Sequence, residues 1–371
     1  LSKVKLQRDL KNLIAKICID FGIDGHRADI LISRCAKTLA AFDGRLIAEK
    51  RDVEKAAKYV IPHRVRRDPF DDEKTNDEDY IYGGRYGWSW KRFIRKRNAI
   101  AKVIVSSAGE PGTWPDLVGL CEVENRMVLR QLTEQTPLVR LDWGIVHYDS
   151  PDMRGIDVAL LYRKERFKVL RSRAVEVSLP DSSATRDILY VCGIMLQGEG
   201  ALDTLHLFVN HWPSKLSDDS ADSPRRMAAS EALKEAIDSV RAFSPEAAIL
   251  VMGDFNDTPD SRILTDFSRG MGLCSPAADL ASGGQGSIKY KGVRELIDQF
   301  FLSENLSKRL VRWDDGAFMR IFAPDFLLEA DKEFLGQKPK RTYIGPRYNG
   351  GVSDHLPILL RLQRKMHIFA Q

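Results

Sequence analysis

Apolar residues recur along the chain with two different periods. Over the first 62 residues the spacing is three to four. Leu10, Leu13, Ile14, Ile17, Cys18 and Phe21 share one helical stripe, Ala28, Leu31, Ile32, Cys35, Leu39 and Phe42 a second, and Val53, Ala56, Ala57 and Val60 a third. The segment Gly22 to Gly25 separates the first two stripes, and Asp52 opens the third. Three amphipathic helices follow, each burying its stripe against the others as a small bundle. Pro62 ends the third, because proline lacks the N–H for the helical ladder and its ring clashes with the preceding turn. A basic run, His63 to Arg67, and an acidic one, Asp71 to Asp79, come next with no apolar stripe. This reads as a solvated linker. The predicted organisation is a helical segment over 1–69, an acidic linker over 70–87 and one large domain over 88–371.

Past residue 88 the pattern changes to short apolar runs bounded by polar turn residues. Such runs, at 117–121, 156–162, 188–196, 204–210, 248–253, 296–302 and 356–362, suit strands buried on both faces. Helices interrupt them. Ser89 can cap one that runs through Val105, Asn125 can open another, and Ser223-Pro224 starts a third reaching about Phe243, with proline where its missing N–H costs nothing. The mixture predicts an α+β domain in which two sheets pack face to face with helices outside.

Composition narrows the functional classes. No apolar stretch approaches the roughly 20 residues that span a bilayer, so a membrane role is not expected. Five widely spaced cysteines, Cys18, Cys35, Cys121, Cys192 and Cys274, fit buried thiols better than a disulfide frame and point to a reducing, cytoplasmic setting. The sequence opens on Leu1, so the lack of a leader is no guide to compartment. The net charge of +5 is uneven: residues 1–70 carry 16 Lys+Arg against 9 Asp+Glu, and the rest 41 against 43. The sum is therefore no argument for nucleic acid, and any basic groove in the larger domain must be local.

Five predicted strand ends carry chemistry that packing would not choose. They are Cys121-Glu122-Val123-Glu124-Asn125, Asn210-His211-Trp212-Pro213-Ser214, Gly253-Asp254-Phe255-Asn256-Asp257, Leu296-Ile297-Asp298-Gln299 and Gly351-Val352-Ser353-Asp354-His355. An oxygen-rich set favours a hard cation, Mg2+ or Mn2+, over zinc. Singly each motif reads as a satisfied turn or a hydrogen-bonded core histidine.

In this order the five motifs, with Ile145 to Asp157, resemble the endonuclease/exonuclease/phosphatase superfamily, the deoxyribonuclease I-like metallophosphoesterases, over about residues 71–371. The resemblance implies a two-sheet sandwich and hydrolysis of a phosphodiester or phosphomonoester by in-line attack of water. It implies Glu122 and Asp354 as metal ligands, and Asp254 and Asn256 orienting water and a phosphoryl oxygen. His355, oriented by Asp298, would be general base or charge-assisted donor, and His211 would contact the phosphoryl group. Arg154 and Tyr148 are looser candidates for phosphate contact. Glu124 and Asp257 read as supporting groups, and Asn210 as a turn anchor. The fold does not name the substrate, and nucleic acid is one candidate among several phosphoesters. The loop Lys338 to Gly351, mixing cations with Tyr343 and Tyr348, could grip a phosphate backbone and stack a base, or be a solvated basic loop.

Two features depart from that family. Its first strand ordinarily carries an asparagine near the metal, and here Val65-Arg66-Arg67-Asp68-Pro69-Phe70 takes that place without one. The first 69 residues instead resemble the C-terminal helical lid of a magnesium-chelatase-type AAA+ ATPase, in Ile17 to Asp29, Thr38 to Arg45 and Ala56 to Arg67. Arg27 would be its sensor arginine. The chain contains no Gly-x-x-x-x-Gly-Lys-Ser/Thr loop, so it holds no complete ATPase. Two alternatives to a hydrolase stay open: an impaired fusion remnant acting as a binding module, and an ATPase-associated partner acting through the lid.

Overall fold

A computed structural model describes residues 4–20, 27–60, 87–107, 114–197, 200–214 and 223–363. The chain divides into two compact units, Leu1–Lys74 and Thr75–Gln371. The stretch in place of the family's first strand, the acidic linker and the side chains of Cys18 and Arg27 lie outside the described residues.

The first unit holds α1 (Arg8–Asp20), α2 (Arg27–Phe42) and α3 (Lys50–Val60). Its core is small: Ile14, Ile32, Val53 and Ala56 from the three predicted stripes, joined by Ala36 from outside them, are at most 1 % exposed. Asp52 is buried at the start of α3. The two terminal nitrogens of Arg45 and the Glu49 backbone N–H all donate to it, and the arginine is the main reason its pKa is lowered.

In the second unit, α4 (Trp90–Ser106) starts under its Ser89 cap and α5 (Arg126–Glu134) under its Asn125 cap. The strands are β1 (Leu117–Val123), β2 (Trp143–His147), β3 (Asp157–Arg163), β4 (Phe167–Val175), β5 (Ile188–Gln197), β6 (Gly200–His211), β7 (Ala248–Asp254), β8 (Leu273–Cys274), β9 (Ile288–Tyr290), β10 (Val293–Glu295) and β11 (Asp298–Ser303). Helices α6 (Pro224–Phe243) and α7 (Arg262–Gly270) follow β6 and β7. One sheet has the order β1-β3-β2 and the other β4-β5-β6-β7-β11-β8. All these pairs are antiparallel except β6 and β7, which run parallel because α6 carries the chain back between them.

Strand alternation builds four layers. Inward residues of both sheets, among them Val158, Leu160, Leu207, Val209, Leu250, Met252, Phe300 and Leu302, form the central core. The other face of the six-stranded sheet packs Ile249, Val251, Phe208 and Phe301 against Leu233 and Ile237 of α6 and Phe267 of α7. The outer face of the three-stranded sheet packs Ala159 and Leu161 against Ala101 and Ile104 of α4 and Leu129 and Leu132 of α5. The fold is α+β, two packed sheets flanked by helices.

Some expectations need correcting. The run at 117–121, expected to be buried on both faces, is only partly buried, since β1 is an edge strand that pairs with β3 alone among the described residues. Cys192 is buried, but Cys274 sits exposed on the short edge strand β8. Strands β2 and β4 were not expected, because β4 alternates polar residues outward in Lys168, Arg171 and Arg173 and lacks a continuous apolar run.

Candidate active site

Register brings three polar residues to one level at the mouth of the six-stranded sheet. His211 at the end of β6 pairs with Asp254 at the end of β7, and Asp254 pairs with Asp298 at the start of β11. Val209, Met252 and Phe300, each two residues deeper, point into the inter-sheet core. With a period of two, His211, Asp254 and Asp298 project from that same face, just past the last apolar layer. Gly253 makes the close approach possible: its φ is +139°, and a Cβ there would lie 2.0 Å from the Asn210 carbonyl oxygen.

The rim is densely bonded. His355 Nδ1 lies 2.8 Å from Asp298 Oδ2, and Asp254, Asp298 and His355 offer ligand atoms all within 4.8 Å of one another. His211 Nε2 lies 3.5 Å from Asp254 Oδ2. Asn256 donates its backbone N–H to Asp254 Oδ1 at 2.8 Å, and its amide nitrogen reaches the Trp212 carbonyl at 2.9 Å and Asp254 Oδ2 at 3.3 Å. Of the five non-glycine residues with positive φ among those described, Glu122 (58°) and Asn256 (50°) belong to the candidate set, a conformation costing about 1–2 kcal/mol each.

Protonation follows from these neighbours. Burial opposes a charge on His355. Asp298, by charge and hydrogen bond, together with Asp254 and Asp354 outweighs it and holds the ring's pKa well above the usual value. Burial and then the charge of Asp298 raise Asp254 to about 7, against the pull of His355 and the Asn256 N–H. His211 goes the other way: burial first, then the charges of Arg186, Arg154 and His355, push its pKa well below 6.5. At neutral pH the site therefore pairs a cationic His355 with a neutral His211. The Nδ1 of His211 is buried without a hydrogen-bond partner among the described residues.

A second group faces this rim from the three-stranded sheet and the C-terminal loop. Glu122 lies within the irregularity in β1 between Leu120 and Val123 and is exposed. Asp354 is ion-paired with Arg341 at 2.7 Å; burial raises its pKa, but the charges of His355 and Arg341 outweigh that and lower it. The charges of both act on a residue that the sequence did not single out. Lys96 of α4 donates to Thr342 Oγ1 at 2.7 Å, and its pKa is lowered by burial against the opposing charges of Glu122 and Asp354. In sequence Lys96 is one of six cations in a helix without a carboxylate, indistinguishable from a solvated face.

The supporting candidates have local roles. Asp257 forms an ion pair with the buried Arg226, and Asn210, fully buried, accepts from the Trp212 indole at 3.2 Å. The Tyr148 hydroxyl bonds to Ser172, while Arg154 is tied to Asp152. Tyr343 and Tyr348 pack edge to face at 5.5 Å, with Trp88 against the first and Arg92 over the second. A different cluster, His147 with Asp157 at 2.9 Å and Asp149, braces the loop through two bonds from Ser150 to Asp157.

A model described as the endonuclease/exonuclease/phosphatase family matches residues 64–364. The chain belongs to this family. Members of the endonuclease/exonuclease/phosphatase family among solved structures include one from Bacteroides vulgatus, 16 % identical with a TM-score of 0.47 over 74 % of this chain and 92 % of that one. The human Nocturnin catalytic domain, solved with bound sulfate, is 16 % identical with a TM-score of 0.45 over 74 % of this chain and 88 % of that one. A mannosyl-6-phosphatase of Bacteroides thetaiotaomicron is 12 % identical with a TM-score of 0.47 over 72 % and 90 %. A second model, the AAA lid domain, matches residues 11–80. There the chain is 45 % identical over 78 residues to a magnesium-chelatase subunit ChlI homolog of Methanocaldococcus jannaschii, 21 % of either length. It is 38 % identical over 71 residues to the ChlI subunit of Mesostigma viride. The chain spans about a fifth of the length of these relatives.

Proposed function

We propose that the larger unit is a divalent-cation-dependent phosphoester hydrolase. Family membership supports phosphoester hydrolysis. The observation that carries the residue assignment is the level register of His211, Asp254 and Asp298 with His355 bonded to the last. The donors suit a hard cation. Glu122 and Asp354 offer carboxylate oxygens, and the neighbouring Cys121 is a partly buried thiol whose pKa is pushed far up by desolvation, so no thiolate competes. Glu122 and Asp354 would hold the cation, which when bound would offset charge growing on the phosphoryl oxygens.

The chain's own residues do the rest. Asp254 and Asn256 orient a water in line with the ester bond, and the Asp254 carboxylate takes its proton as the oxygen attacks phosphorus. The P–O bond to the leaving group breaks with its electron pair on that oxygen. His355, fixed by Asp298, gives a charge-assisted hydrogen bond to a phosphoryl oxygen, and neutral His211 gives a second from the other side.

The test is turnover of bis(p-nitrophenyl) phosphate by the full chain with Mg2+ or Mn2+. EDTA should abolish it, and His355→Ala should lower kcat by about a hundred- to a thousandfold with the melting temperature nearly unchanged. A wild-type chain inert toward both mono- and diesters, or a His355→Ala variant of full activity, would sink the assignment.

A further inference from the structure

Arg186 lies two residues before β5, and its side chain is only 5 % exposed. A buried guanidinium needs several acceptors, and this one has three: Nε donates to the His211 carbonyl at 3.1 Å, Nη2 to the Trp212 carbonyl at 2.6 Å and Nη1 to Asp152 Oδ2 at 3.0 Å. Two of these acceptors lead on to further groups of the site. The Trp212 carbonyl also accepts the amide of Asn256. Asp152, itself 5 % exposed, takes the Arg154 backbone N–H at 2.9 Å and Nε at 3.4 Å on its other oxygen. That leaves Arg154, 29 % exposed, with both terminal nitrogens carrying no hydrogen bond among the described residues. The charges of Arg154 and Arg186 both act on His211.

We propose that Arg186 and Asp152 are positioning residues that hold the Arg154 fork beside His211 as an anion subsite, while Arg186 also fixes Asn256 through the Trp212 carbonyl. The proposal rests on the hydrolase reading above for its catalytic meaning. One carboxylate between two guanidiniums leaves one unit of positive charge, and Asp152 places it on the outer arginine. Holding Nε from behind turns the two terminal nitrogens outward, the geometry that grips two phosphoryl oxygens at once. Without Arg186, Asp152 would be an unpaired buried charge and would draw Arg154 back to neutralise it.

The probe is inorganic phosphate, titrated into the full chain by calorimetry. Arg154→Met should weaken binding about ten- to a hundredfold, the loss of charge-assisted hydrogen bonds. Asp152→Asn should cost about tenfold in the wild type but no more than about twofold once Arg154 is already methionine. Arg186→Met risks misfolding, so Arg186→Lys is the companion variant; it keeps the charge without the fork and should lose affinity with a preserved melting temperature. For turnover, Arg186→Lys should lower kcat through Asn256, whereas Arg154→Met should act mainly on KM. Equal losses from Asp152→Asn in both backgrounds, or affinity that merely tracks melting temperature, would overturn the positioning role. A wild type that binds no phosphate overturns the subsite. A wild type that binds phosphate with this coupling but hydrolyses nothing would instead remove the hydrolase reading and leave the subsite standing.

Discussion

The two walls of the candidate site are built differently. On the six-stranded sheet His211, Asp254 and Asp298 sit on neighbouring strands at one level, so their separations follow from sheet spacing, with His211 Nε2 3.5 Å from Asp254 and Asp298 bonded to His355. On the opposite wall Glu122 ends an edge strand, Asp354 sits in a loop paired to a half-exposed arginine, and Lys96 reaches in from a helix. No shared register orders the second wall. Its members are related chiefly by charge, which suits groups that close on a cation, whereas the first wall suits groups that must orient a water before reaction.

The largest effect should come from breaking the first wall. Asp298→Asn keeps the size of the residue but removes the charge that holds His355 protonated, and kcat should fall by about a hundred- to a thousandfold at unchanged half-saturating Mn2+. The second wall should respond in the opposite sense. Glu122→Gln should raise the Mn2+ concentration for half-activity by about ten- to a hundredfold and leave kcat at saturating Mn2+ within a few-fold. If the two variants shifted the same parameter, the division of labour would be wrong.

A smaller effect tests the strain stored on the first wall. Asp187 precedes β5, whose pairing with β6 sets its backbone near the level of His211. One of its carboxylate oxygens is buried without a hydrogen-bond partner among the described residues. Burial, then the charges of Glu176 and Asp157, raise its pKa from 3.8 to about 6. The unfolded carboxyl therefore gives up its proton first, and wild-type stability should decline as pH rises from about 4 to above 6. Asp187→Asn should remove that slope, raising the melting temperature by roughly 2–4 °C at pH 7.5 and not at pH 4. Equal gains at both values would place the strain elsewhere.

Much of this was legible in one dimension. The stripes of Ile14, Ile32 and Val53 marked the helical bundle, and Asp254, His211 and Asp298 were readable because a polar residue closing an apolar strand has no packing reason to be there. Arg186 sends a similar signal in Thr185-Arg186-Asp187 at the start of β5, but at the entry of a strand it looks like an ordinary turn. Lys96 sends none. Six cations on one helix look alike until the helix is docked, and only docking brings one of them under the charges of Glu122 and Asp354.

By itself the sequence determined which residues could carry the chemistry and the period on which each apolar face is built, because hydrophobic alternation is a local property of the chain. The tertiary structure decided which of them meet. Asp254 and Asp298 are 44 positions apart, and His355 lies 57 beyond Asp298. Pairing register and loop closure bring their ligand atoms within 4.8 Å of one another, where the carboxylates outweigh burial to make His355 cationic while burial keeps His211 neutral.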